Sequence, residues 1–217
     1  MNHIYCISGF GADERVFSKI RLIDYELHFI PWLTPVRKES LENYASRMSD
    51  QIPHDNPILL GLSFGGMMCI EIAKIRLTKA VILVSSIKTY KELPLWMRGA
   101  GFLRLSELLP LRSLKFKLLE PLENFNLGII TAEEKKLASE YRKNIDPNYT
   151  NWAIGIILAW RNTWLPKRIY HIHGTKDRIF PIKNIKADYI IPSGGHMMIM
   201  NMAVEVNFIL NKILAGL

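Results

Sequence analysis

A chain of 217 residues that is 49% hydrophobic is long enough for one domain with an insertion, and apolar enough for a large core. Its two cysteines, Cys6 and Cys69, lie in apolar surroundings and read as small buried hydrophobes, which argues against a disulfide framework. Much of the net charge of +8 falls in residues 88–120 and reads as a solvated basic face; no nucleic-acid-binding module accompanies it.

In chain order, residues 3–8 form a first apolar strand and 26–31 a second. Leu41, Tyr44, Ala45, Met48 and Ile52 recur at helical spacing, so 39–52 is an amphipathic helix. A strand over 57–62 leads into a helix from 64 to about 76 that is apolar on most faces. Lys79–Ser85 carries a continuous Ala-Val-Ile-Leu-Val run, which suits a parallel strand buried on both faces. Residues 88–165 break this alternation with a rich apolar set that includes Leu93, Leu103, Leu108 and Leu109. Within them, Thr131-x-x-Glu134 is a capping box opening a helix to about Lys143, and Pro147 starts another through Trp160. Strands at 168–173 and 187–191 and a Met-rich helical tail from about 197 to 215 follow. Strands alternating with helices give an α/β protein with a mostly parallel sheet flanked by helices.

Four strand ends carry chemistry. Ile58-Leu59-Leu60 enters Gly61-Leu62-Ser63-Phe64-Gly65, a strand, sharp turn and helix with a serine at the apex. A serine hydroxyl is a weak nucleophile until it is exposed and given a base, and such a turn exposes it. Downstream, His173-Gly174-x-x-Asp177 ends one strand and Ser193-Gly194-Gly195-His196 follows the next; upstream, the first strand runs into Ser8-Gly9-Phe10-Gly11. The order Ser, Asp, His is the one expected after such an elbow. Of the six histidines, His171 and His173 alternate within a strand and read as core or supporting groups. His3, His28 and His54 lack a loop context after a strand. Asp177 alternatively reads as a solvated loop aspartate between Lys176 and Arg178, and Asp188 looks like the start of a strand. Gly9-Phe10-Gly11 lacks the third glycine and acidic partner of a dinucleotide loop, Gly61–Gly66 lacks the Lys-Ser/Thr of a phosphate loop, and no Cys/His cluster has metal-ligand spacing, so no cofactor or metal is expected.

Together these four motifs resemble those of the α/β-hydrolase superfamily over nearly the whole chain. The resemblance implies Ser63 as nucleophile, His196 as general base, Asp177 as the acid that orients it, and an oxyanion hole from the backbone N–H groups of Phe10 and Phe64. Many relatives carry His-Gly where this chain has Ser8-Gly9. Because the chain starts at the oxyanion strand, the resemblance implies a reduced sheet of about six strands. It also implies a core of 1–87 and 166–217 with 88–165 as a helical lid. Trp96, Trp152, Trp160 and Trp164, with the leucines around them, suggest an apolar substrate pocket.

The implied activity is hydrolysis of an ester, thioester or related acyl bond of a small, largely apolar substrate through an acyl-enzyme. The same triad resembles those of carbon–carbon hydrolases, lyases and perhydrolases, and a ligand-binding member of the fold without turnover is the alternative of another class. Aspartate-nucleophile dehalogenation is argued against by Ser63. The basic lid suggests an acidic head group, and the leucine-rich basic segment 93–119 suggests weak peripheral membrane contact. The N-terminus shows no basic-then-apolar leader, and Trp152–Trp160 is far short of the about 20 residues that span a bilayer. The expectation is a cytoplasmic monomer or homodimer with a small-molecule partner, without nucleic acid or an integral membrane segment.

Overall fold

The computed structural model describes residues 2–103 and 116–217, with side chains in the second stretch from residue 120. One sheet of six strands runs through the molecule: β1 (Asn2–Ile7), β2 (Tyr25–Phe29), β3 (Ile58–Leu62), β4 (Ala80–Val84), β5 (Ile169–Gly174) and β6 (Tyr189–Ile191). The spatial order is β2-β1-β3-β4-β5-β6 and every pairing is parallel. The chain moves outward from β1 to β2, then returns past β1 to β3. That reversal opens a crevice at the carboxyl ends of β1 and β3, where ligands bind in open α/β sheets.

Helices cover both faces. On one, α1 (Leu41–Ser49) and α2 (Phe64–Ile75) bury Tyr44, Met48, Met67 and Ile70 against Tyr5, Leu59 and Val81 of the sheet. On the other, the 3-10 turn at Glu14–Phe17 and the tail helices bury Phe17, Met198, Val206 and Leu210 against Ile4, Leu60 and Ile82. β3 and β4 are buried along their whole length, as their unbroken apolar sequence predicts. The tail reads as one helix in sequence but is two, α7 (Met198–Asn201) and α8 (Ala203–Ala215), because Met202 leaves helical geometry at ψ 40°. Asn207 and Asn211 on α8 then strap the loop before β2: their side chains accept from the N–H groups of Arg21 and Ile23 and donate to the carbonyls of Lys19 and Arg21.

Between β4 and β5 the described residues form α3 (Leu95–Phe102), α4 (Phe116–Leu127), α5 (Ala132–Asn144) and α6 (Pro147–Ala159). The capping box at Thr131 and Glu134 forms as the sequence predicts, with both reciprocal hydrogen bonds present. α3 leaves Leu95, Trp96 and Phe102 exposed. The rest of the basic, leucine-rich segment, from Arg104 to Lys115, lies outside the described residues. Among the described residues no helix is long and apolar enough to cross a membrane.

Trp160, just after α6, is fixed to α2 rather than to a substrate pocket. Its Nε1–H donates to Glu71 Oε1 at 2.7 Å, and Lys74 Nζ meets the same oxygen at 2.6 Å. Glu71 is buried, so its carboxylate depends on these donors. Trp160→Phe keeps the ring but strips the N–H, and should cost about 1–3 kcal/mol of unfolding free energy, read from urea denaturation.

Candidate active site

The site forms where the loops after β1, β3, β5 and β6 meet at the carboxyl edge of the sheet. At the end of β3, Ser63 takes φ 52° and ψ −118°, in a region that disfavours any residue with a β-carbon. It occupies the position before α2, where a serine usually caps the helix with its own hydroxyl. Here the hydroxyl makes no capping bond. Instead Ser63 Oγ lies 2.9 Å from His196 Nε2. The turn is this tight because Gly65 has no side chain: a β-carbon there would lie 2.2 Å from Ile7 O of β1. Ser86 locks it from below, its Oγ–H donating to Ser63 O at 2.6 Å.

The turns after β5 and β6 are packed backbone to backbone. A β-carbon at Gly174 would meet Gly194 O at 2.2 Å, and Lys176 N–H donates to that same carbonyl at 2.8 Å. This contact brings Asp177 and His196 together. His196 Nδ1 lies 2.8 Å from Asp177 Oδ2, while Asp177 Oδ1 accepts from the N–H groups of Ile179 and Phe180, each at 2.9 Å. Burial alone would push the Asp177 carboxyl up, but His196, His173 and these donors hold it below the usual carboxylate range. Both Asp177 and His196 are 3% exposed. Asp188 is engaged elsewhere, accepting from His171 N–H.

The loop after β1 lies beside the serine because Ile7 is paired with Gly61 in the sheet. A β-carbon at Gly9 would sit 3.5 Å from Ser63 Cβ. Ser8 holds the loop: its Oγ–H donates to Ala12 O at 2.6 Å and the oxygen accepts from Trp32 Nε1–H at 3.0 Å. Trp32 also stacks on Phe64, with ring centroids 5.0 Å apart. So a serine and a tryptophan brace the loop that carries Phe10, while the Phe64 N–H opens α2, where no intrahelical acceptor exists.

Beneath the Asp–His pair is a chain of buried, uncharged imidazoles. His173 Nε2–H donates to Phe180 O at 2.8 Å, and its Nδ1 faces His171 Nε2 at 3.3 Å. Burial, and then the proximity of the His173 ring and the Lys88 ammonium, holds His171 well below its ordinary value; burial also lowers His173, against the pull of Asp177.

Above the serine is a cavity of about 370 Å³ lined by Ser63, Phe10 and His196 and, from the helices between β4 and β5, by Met97, Leu127 and Ile157 among others. The four tryptophans expected there are absent from its described lining. Trp152 packs on Tyr44 and donates to Glu39 O, Trp160 binds Glu71, and Trp96 and Trp164 are exposed. An indole N–H goes where a buried acceptor needs it, which amphipathic sequence does not reveal. Conversely Trp32, not singled out by sequence, touches two of the elements around Ser63.

No protein-family model matches the chain, and no curated protein is similar to it in sequence. Solved structures are similar in shape. A thermophilic esterase is 17% identical with a TM-score of 0.71, over 98% of this chain and 89% of that one. A bromoperoxidase from Bacillus anthracis is 15% identical at 0.69, over 99% and 92%. An epoxide hydrolase from Bacillus megaterium is 11% identical at 0.70, over 99% and 94%.

The two lowered histidines set a pH dependence. Folded, they stay neutral below the value near 6.5 at which the unfolded chain takes up protons, so the unfolded state binds more protons there and stability falls with pH. Asp177 adds a loss only below about pH 3.8. Urea midpoints should therefore drop between about pH 7.5 and about pH 5.5, and the drop should shrink in His171→Leu, which has no proton to gain in either state. At these identities the likeness to solved structures is one of architecture, and with the parallel sheet, the elbow and the helical insertion it gives this chain the α/β-hydrolase fold.

Proposed function

We propose that this protein is a serine hydrolase that cleaves an ester, thioester or related acyl bond through an acyl-enzyme. The observation that carries this is the hydrogen-bonded series Ser63, His196, Asp177 at the floor of an apolar cavity. In this reading His196 Nε2 takes the Ser63 proton as Oγ attacks the acyl carbon, and Asp177 stabilises the imidazolium without accepting the proton itself. The Phe10 and Phe64 N–H groups receive the oxyanion. His196 then protonates the leaving group, and a water deprotonated by His196 releases the acid and restores Ser63. The helices between β4 and β5 act as the lid that keeps bulk water from the acyl-enzyme.

The described lining favours a small, neutral and largely apolar acyl group. The volume is at the small end of ligand sites. Arg142 lines the cavity, but its charge is already met by Glu120 at 2.5 Å and Glu123 at 3.6 Å, which leaves an acidic head group without support. Glu134 Oε1, buried and without a hydrogen-bond partner among the described residues, offers an acceptor to a substrate hydroxyl or amine.

Intact-mass labelling with a small fluorophosphonate tests the reading. One adduct is expected on the wild type and none on Ser63→Ala; absence of an adduct on folded wild type would move the protein to the ligand-binding class. With short-chain p-nitrophenyl esters, Asp177→Asn should lower kcat/KM by about 10³–10⁴-fold, since the imidazole is left in the wrong tautomer.

A further inference from the structure

At the amino end of the sheet, about 15 Å along β1 from the candidate active site, a second group of reactive side chains converges. Parallel pairing sets His3 of β1 opposite Glu26 of β2, and Tyr5 opposite His28, so the four side chains share one face. Three of their atoms form a closed triangle: His3 Nδ1 to His28 Nε2 is 2.9 Å, His3 Nδ1 to Glu26 Oε2 is 3.5 Å, and His28 Nε2 to Glu26 Oε2 is 3.8 Å. Ligands held about 2.1 Å from a tetrahedral zinc ion lie about 3.4 Å from one another, which these edges bracket.

The surroundings orient the triangle. His54, from the loop before β3, stacks flat on His3 at 3.9 Å and 10° between planes, and its Nδ1 is hydrogen-bonded to the Tyr5 hydroxyl. That stack fixes the plane of the His3 ring, whose Nδ1 edge faces the other two donors. The ligand side chains are a quarter to a half exposed, which leaves an open side for a water as fourth ligand.

The geometry points to a divalent metal site, with His3, Glu26 and His28 as ligands and His54 as a positioning residue, that takes Zn²⁺ or a neighbouring borderline ion such as Ni²⁺ or Cu²⁺. It clips the edge strand β2 to β1. A hydrogen bond between the two imidazoles would account for the shortest edge alone, so the proposal stands on metal binding itself. The site is independent of the hydrolase reading.

The test titrates zinc chloride into the untagged full-length protein after chelator treatment, by calorimetry and thermal unfolding. One equivalent should bind, and saturation should raise Tm by about 5 °C. His28→Gln should weaken binding at least about tenfold and abolish the shift. Glu26→Gln, at an exposed carboxylate whose loss leaves packing intact, should weaken it too, so the result does not hang on one variant folding. Fluorophosphonate labelling should be the same with and without zinc. No saturable one-to-one binding, or binding equal in both variants, overturns the site. Binding that survives His28→Gln and blocks labelling places the ion at His196 and overturns it as well.

Discussion

A β-carbon at Gly65 would run into the last carbonyl of β1, so the first turn of α2 rests directly on the backbone of its neighbouring strand. This contact sets how sharply the chain must turn after β3, and the turn in turn forces Ser63 to a positive φ. The hydroxyl is thereby aimed away from the helix it would otherwise cap and toward the edge of the sheet. The same approach seats the Ser8–Gly11 loop against Ser63, because β1 and β3 pair in register up to Ile7 and Gly61. The strain in the turn costs about 1–3 kcal/mol and is held by the buried strands on either side. A second contact of the same kind, Gly174 against Gly194, sets Asp177 beside His196. Two glycine contacts thus fix three side chains from three separate loops.

The electrostatics follow from burial. A carboxylate removed from water at Asp177 is sustained by two backbone N–H groups and an imidazole, so it stays ionised where an unpaired one would take up a proton. Of the imidazoles below it, His173 also lies 3.6 Å from Asp177, but burial outweighs that attraction, and both His171 and His173 are held below their ordinary values. One charge in a low-dielectric setting orients one imidazole, that of His196, and the groups around it support that charge.

The strands and the elbow were legible because each is a local pattern: apolar runs buried on both faces, with small residues at their ends. The serine, aspartate and histidine could be read because each follows such a run. The capping box at Thr131 was legible for the same reason, being closed within four residues. The cavity was not legible, since its walls depend on how the helices between β4 and β5 dock, and docking is settled by partners distant in sequence. Trp160 shows this: Glu71, its acceptor, is 89 residues away. His3, Glu26 and His28 do not stand out in the sequence, because their spacing is not that of a local metal-binding motif and they are juxtaposed only by strand register.

The asparagines of α8 that strap the loop before β2 join positions 186–190 residues apart. Contacts of that separation have a temporal consequence when the chain is made from one end to the other. β1 to β4 and the turn at Ser63 leave the ribosome before β5, β6 and α8, with one face of their sheet lacking the cover that α8 provides. Asp177 and His196 emerge only in the final quarter, with β5 and β6. Ser63 is therefore made well before Asp177 and His196, and the apolar underside of the sheet stays exposed until α8 follows.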